Sequence, residues 1–222
     1  MFIVKEFFVC YNENKLNKEE YNKQMAKLYF KYGTMSSGKS LDLITTAYNY
    51  EKQNKRILVY TSSIDTRSGF KKIESRTGHF WDANYIPSDA NLLYKKVSEE
   101  ITKHKIYCLL VDESQFLSKE QIIVLANIVD DFDIPVICWG LKNDFQNNLF
   151  EGSATLLAYA DKIEYLKTIC VLCNKKAVMN LRTNNGKAVY SGEQILVGDT
   201  DYVPVCRKCY NNYDILKRVT TN

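Results

Sequence analysis

Eight residues, Gly33-Thr34-Met35-Ser36-Ser37-Gly38-Lys39-Ser40, constrain what this chain can fold into more than any other stretch. They fit the pattern G-x-x-x-x-G-K-[ST], which carries meaning only between a strand and a helix. Both flanks comply. Residues 27–32 alternate as a strand does, and residues 39–53 place Leu41, Leu43, Ile44, Ala47 and Tyr48 at helical spacing. In such a loop the glycines let the backbone curl so that N–H groups converge on phosphate oxygens, and the helix N-terminus adds a favourable dipole. Lys39 is expected to reach the outer phosphates, and the Ser40 hydroxyl to join the shell of a bound Mg²⁺.

The rest of the chain extends this unit. Residues 56–60 (RILVY) and 134–139 read as buried strands, and residues 106–111 (IYCLLV) as a central parallel strand. Residues 90–104 have helical spacing at Leu92, Leu93, Val97 and Ile101. Ser118 followed by Gln121 forms an N-cap signature for a helix through Val129. Residues 153–160 read as a short helix, and residues 62–88, with Gly69 and Gly78, as a mixed stretch containing a mobile loop. Alternating strands and helices with short connections predict an α/β fold, an open parallel sheet with helices on both faces. The phenylalanines Phe80 and Phe132 are expected in the core, Arg76 in a solvated loop and His79 on the surface; His104 closes a helix.

An apolar strand that ends in an acid is where a Walker-B carboxylate sits, and residues 106–111 lead into Asp112-Glu113. Asp112 is expected to serve Mg²⁺, and Glu113 to accept a proton from an attacking hydroxyl. A phosphate loop gives nucleotide binding and not yet a reaction. A GTPase needs a base-reading N-K-x-D, but Leu141-Lys142-Asn143-Asp144 has Leu in place of the Asn, and Glu113 is not followed by the switch glycine. A nucleic-acid ATPase calls for a basic stripe, and the net charge is only +4 over 222 residues, so no nucleic-acid partner is expected. A small-molecule kinase needs a base and an acceptor pocket, and fits.

Of seven cysteines, Cys10, Cys108 and Cys138 are scattered. Cys170, Cys173, Cys206 and Cys209 form two C-x-x-C pairs, suited to a closed tetrahedral structural zinc. The metal would clamp the long stretch between the pairs, and its loss is expected to leave the phosphate loop untouched. A boundary near Tyr165 separates a nucleotide-binding unit (residues 25–165) from a zinc unit (166–217) and a tail (218–222). Residues 1–24 read as an extension outside the catalytic fold, with Met25 directly before the first convincing strand; the alternative is an extra helix packing on a partner. Lys5 and Glu6 interrupt the apolar start, so it is a poor secretory signal. No apolar run approaches the ~18 residues of a membrane span. A cytoplasmic protein without a membrane partner is expected.

In chain order the sequence carries the phosphate loop, Asp65-Thr66-Arg67, Asp112-Glu113-Ser114-Gln115-Phe116, Gly140-Leu141-Lys142-Asn143-Asp144-Phe145 and the cysteine quartet. This set resembles the cytosolic-type (type II) thymidine kinases, with strings GxMxSGKS, DTR, DE[GA]QF and two C-x-x-C pairs, over residues 27–210. Ser114 departs from the usual Gly or Ala, and Thr34 and Ser36 from commoner loop neighbours. The resemblance implies a RecA-like P-loop domain and a small zinc-binding domain carrying a lasso loop. It implies ATP as phosphate donor, thymidine and deoxyuridine as acceptors, Mg²⁺ and structural Zn²⁺, a homotetramer and feedback by thymidine triphosphate. By the same resemblance Glu113 is the general base and Arg67 a catalytic cation. Asp65, Asp112 and Gln115 join residues 33–40 around the phosphates. Met35, Phe116, Leu141, Phe145 and Phe150 surround the base. Tyr202 lies near the sugar, and Gly192, Glu193, Gln194, Ile195 and Leu196 form the lasso. The lasso's backbone is expected to read the base, with the Glu193 and Gln194 side chains turned outward.

Overall fold

Long apolar runs become interior strands because both faces of a parallel sheet are covered. The computed structural model describes residues 25–64, 71–194 and 201–213. From the start, β1 (Leu28–Gly33) leads into α1 (Lys39–Lys52), then β2 (Ile57–Thr61), a hairpin of β3 (Lys72–Glu74) and β4 (Phe80–Asp82), and the short β5 (Asn84–Tyr85). Next come α2 (Ala90–Lys103), β6 (Cys108–Val111), α3 (Lys119–Phe132), β7 (Val136–Gly140), α4 (Glu151–Tyr159) and β8 (Lys162–Leu166). The last part contains β9 (Met179–Asn184), β10 (Lys187–Val189), β11 (Asp201–Val205) and α5 (Arg207–Asn211).

Six strands form one sheet in the order β5-β2-β6-β7-β1-β8, with every pairing parallel. β7 therefore lies between the strand that feeds the phosphate loop and the strand that ends in Asp112. Side chains alternate along a strand, and the two faces of β6 separate accordingly. Leu109 and Val111 join Leu93, Leu125, Ile128 and Leu156 on the side of α2, α3 and α4. Cys108 and Leu110 join Leu43, Ile44, Ala47 and Trp139 on the side of α1. The expected cap of α3 is present: Ser118 Oγ accepts from Gln121 N at 3.2 Å, and Gln121 Oε1 accepts from Ser118 N at 2.7 Å.

Several expectations need correction. β8 pairs with β1 at the sheet edge and runs to Leu166, one residue past the expected boundary. Its first two residues, Lys162 and Ile163, are exposed and the rest only half-buried, so it lacks the apolar density that marks interior strands. The described part of the mixed stretch 62–88 holds the β3–β4 hairpin, with Gly78 at φ 81, and β5, while residues 65–70 lie outside the described residues. Phe80 is 59% exposed rather than core, because a two-stranded hairpin has only one face to bury; the Lys72 ammonium covers its ring at 4.6 Å. Phe132 is half-buried against Tyr94.

Beyond β8 the chain forms a three-stranded antiparallel sheet, β10-β9-β11. Its core is small: Ala177, Leu181, Val205, Tyr210 and Tyr213 pack around the cysteines. Among the described residues, no helix is long and apolar enough to cross a membrane.

Candidate active site

The loop after β1 is shaped by its sequence. Ser36 (φ 58) and Gly38 (φ 80) take left-handed backbone, and α1 begins at once, with Asp42 N donating to Gly38 O at 2.9 Å. A side chain at Gly33 would meet Leu166 O at 2.8 Å, so the loop sits close against β8. The Lys39 ammonium curls over the loop and donates to Thr34 O at 2.8 Å, held where an outer phosphate would compete for it. Thr34 Oγ1 and Ser37 Oγ are buried without a partner.

Next to the loop, β6 delivers Asp112. Ser40 Oγ donates to Asp112 Oδ2 at 3.3 Å, while Asp112 Oδ1 is buried with no hydrogen-bond partner. Burial, followed by the neighbouring Glu113 charge, pushes the Asp112 carboxyl up to about 7, against the pull of Lys39 and Ser40. An orphaned carboxylate oxygen beside a hydroxyl is a hard oxygen set of the kind Mg²⁺ takes. These residues fit that ion.

Glu113 follows at φ 50, ψ 38, a left-handed conformation that costs a non-glycine residue about 1–3 kcal/mol and that functional sites retain. It opens a one-turn 3-10 helix, Ser114–Phe116, which two buried contacts brace. Ser114 Oγ donates to Trp139 O at 2.8 Å, and Gln115 Oε1 accepts from Leu141 N at 3.0 Å. Gln115 Nε2 donates to Glu113 Oε2. Gln115, expected at the phosphates, is therefore committed to holding Glu113 and the end of β7. Asp112 and Glu113 open onto one cavity of about 690 Å³ with loop residues 35–41, Thr61 and the β3–β4 hairpin. A larger cleft of about 930 Å³ along β2 contains neither the loop nor these acids.

The hairpin supplies a group that sequence reading set aside. Arg76 Nη1 donates to Ser36 Oγ at 2.6 Å, placing a guanidinium against the phosphate loop. Only the hairpin fold reveals this proximity, since Arg76 is far from the loop in sequence.

The apolar residues divide into two groups. Phe116 stacks edge-on against Phe150 at 5.8 Å, and Leu141 is tied to the same turn through Gln115. Phe145 is buried on the other side, its ring 3.6 Å from the Arg182 guanidinium. Arg182 also donates to Tyr202 Oη and to the carbonyls of Glu193 and Gln194. The Gln194 side chain donates to Asp144 Oδ2 at 2.9 Å instead of pointing outward. Gly192 adopts φ 128. Asp65, Arg67, Ile195 and Leu196 lie outside the described residues.

The sulfur atoms of Cys170, Cys173, Cys206 and Cys209 all lie within 4.8 Å of one another, and Cys173 and Cys206 are 3.6 Å apart. A tetrahedron of Zn–S bonds near 2.3 Å has edges of about 3.8 Å, so the quartet fits zinc. The cysteine unit also touches the phosphate loop. Met35 N donates to Asn180 Oδ1 at 2.7 Å, and Thr168 Oγ1 to Ser36 O at 3.4 Å. The unit whose loss of metal is expected to leave the phosphate loop untouched thus shares hydrogen bonds with that loop.

A family model described as thymidine kinase matches residues 26–210. A thymidine kinase of Streptococcus pyogenes serotype M1 is 53% identical over 192 residues, covering 86% of this chain and 100% of that protein. One from Streptococcus agalactiae serotype Ia is 52% identical with the same coverage.

Proposed function

The chain belongs to the thymidine kinase family, and on that premise we propose that the cavity between the phosphate loop and Glu113 is where the γ-phosphoryl group of ATP passes to the 5′-hydroxyl of thymidine. The observation that carries the reading is the convergence of Lys39, Asp112 and Glu113 on that one cavity. Residues 33–40 wrap the donor phosphates. The Glu113 carboxylate accepts the proton of the 5′-hydroxyl, whose oxygen forms the new P–O bond as the bond to ADP breaks. Gln115 aims the carboxylate. Ser40 and Asp112 would hold Mg²⁺, which when bound neutralises phosphate charge. Arg76 joins Lys39 as a cation at the phosphates, and Asp65 and Arg67 act there by family resemblance.

The nucleoside lies on the other side of Glu113. Phe116, Leu141 and Phe150 offer it an apolar wall, and by family resemblance Tyr202 and the lasso residues Gly192 through Leu196 contact it. Backbone N–H only donates and C=O only accepts. Thymine offers a keto oxygen beside an N–H, and cytosine reverses both roles, so a fixed backbone rejects cytosine. Sites built on hydrogen bonds reject mispaired analogues by about 10⁴–10⁵. Zinc on the cysteine quartet has no open position and clamps this unit. The RecA-like core, the division at residues 25–165 and 166–217, the homotetramer, feedback by thymidine triphosphate and a cytoplasmic location complete the reading by resemblance.

The test is a phosphorylation panel with ATP and Mg²⁺. Thymidine and deoxyuridine should be good substrates, and deoxycytidine and purine deoxynucleosides should be essentially inert. Deoxycytidine within tenfold of thymidine in kcat/KM would show that flexible side chains read the base.

A further inference from the structure

Arg182 sits in the middle of β9 at a position that should be apolar. It is 3% exposed, as buried as its neighbour Leu181. A buried guanidinium is costly unless its donors find acceptors, and here Nε and Nη2 do. Nε and Nη2 both donate to Tyr202 Oη, at 2.9 and 2.6 Å. Nη2 also donates to Glu193 O at 2.9 Å and approaches Gln194 O at 3.4 Å. The face of the guanidinium lies 3.6 Å from the centre of the Phe145 ring. A Cβ on Gly192 would come within 3.5 Å of Nη1, so the chain passes close at that point.

The partners come from three separate segments. Tyr202 is on β11, directly opposite Arg182 in the antiparallel register. Phe145 follows β7, and Glu193 and Gln194 belong to the loop between β10 and β11. Simple bracing of a small domain would need only local partners, and β9 already has two flanking strands. What distinguishes Arg182 is that one planar group, able to donate in a fixed fork and to stack, joins all three pieces at once, whereas the Gln194–Asp144 hydrogen bond joins only the lasso to the segment after β7. A lysine has neither the plane nor the fork.

We propose that Arg182 is the positioning residue of the nucleoside site, holding Tyr202 and the backbone of Glu193 and Gln194 in the geometry that separates keto from amino pyrimidines. The proposal rests on the reading that Tyr202 and the lasso contact the nucleoside. It refines that reading, because Arg182 holds the carbonyls of Glu193 and Gln194 and so fixes the direction of the backbone that faces the base. Without Arg182, the two carbonyls and the phenol lose their donor, and the lasso backbone gains freedom to accommodate a swapped donor–acceptor pattern. Thymidine binding weakens, and discrimination weakens with it.

The experiment compares Arg182→Met, Arg182→Lys and wild type as zinc-loaded full-length protein. Arg182→Met should raise the thymidine KM by about 10- to 100-fold, the scale of losing hydrogen bonds from a charged group. The ATP KM should stay within threefold and zinc at one per chain. The ratio of kcat/KM for thymidine over deoxycytidine should fall at least tenfold. Arg182→Lys should fold even if the methionine variant does not, and should recover part of the KM but little of the ratio. Zinc loss, or equal rises in both KM values, would reduce Arg182 to a structural brace and overturn the proposal, as would an unchanged ratio. A separate measurement tests the underlying reading. Thymidine should slow amide exchange in wild-type peptides spanning residues 190–202. If it does not, the lasso reading fails and the proposal with it; if protection appears while the variants match wild type, the proposal alone fails.

Discussion

Replacing Gly152 by Ala puts one methyl group where the fold has no room. Gly152 is the second residue of α4 and faces the turn that carries Glu113. An added Cβ would lie 2.5 Å from Ser114 O and 2.7 Å from Leu117 O, both backbone atoms. Carbon–oxygen contacts settle near 3.4 Å, so the helix and the turn must separate by most of an ångström. No side chain can rotate away to absorb this. Overpacking of this kind costs about 1–3 kcal/mol, and two backbone clashes place Gly152→Ala near the top of that range. Better helix propensity returns at most about 1 kcal/mol. The net loss is about 2 kcal/mol, which in a chain of this size lowers Tm by about 4–8 °C. Because the turn itself is displaced, Glu113 moves with it, and misplacement approaching 1 Å can cost about 10²-fold in rate. Calorimetry and steady-state kinetics should therefore show a lower Tm, kcat down about 10- to 100-fold, and KM for ATP little changed. A variant melting within 1 °C of wild type with kcat within twofold would refute the view that close approach of α4 sets the position of Glu113.

Three other substitutions separate the roles. Glu113→Gln should retain ATP binding but lower kcat by about 10²–10⁴, the range for a general base; near-normal turnover would remove Glu113 from that role. Arg76→Ala should raise the ATP KM by about 10- to 100-fold and leave thymidine KM alone, the loss expected of one charge-assisted contact to phosphate; an unchanged ATP KM would mean that the contact with Ser36 leads nowhere. Cys173→Ser should lower zinc from one per chain and weaken binding of both substrates, because Asn180, which holds Met35 N, belongs to the clamped unit. Metal analysis that finds no zinc in the wild-type protein would refute the cysteine assignment.

Legibility followed locality. The strand–turn–helix around residues 33–40, the cap of α3 and the strand leading to Asp112 are each written in a few consecutive residues, and each is found in place. β8 was not legible, because an edge strand with exposed first residues looks like any polar segment. Phe80 misled because aromatic character was read as burial, while the hairpin that carries it has one solvated face. Arg76 and Gln115 fall in a third category. Their residue types were visible, but their partners, Ser36 for one and Glu113 with Leu141 N for the other, depend on how the chain folds back. Arg182 gave no signal at all: a charged residue within a strand is usually a solvated one, and only β11 opposite and the lasso above make it a hub.

The Glu113 turn and the lasso share one stretch of backbone, the segment that leaves β7. At its start, Gln115 holds Leu141 N, and Ser153 Oγ donates to Leu141 O at 2.5 Å. Further along, Asn180 donates to Asn143 O at 3.3 Å, Gln194 to Asp144 Oδ2 at 2.9 Å, and Tyr210 to Phe145 O at 2.6 Å. Asp144 turns the chain between these anchors by accepting from Gln146 N and Asn148 N with one carboxylate oxygen. Each bond is worth only about 1 kcal/mol alone, but they restrain the same few residues and so are not independent. On the function proposed above, Gln115 would aim the base and Arg182 would position the lasso, so the two act on opposite ends of one short connection. A change at either end would then alter the separation between acceptor hydroxyl and donor phosphate. That separation, more than the strength of any single contact, is what in-line phosphoryl transfer requires.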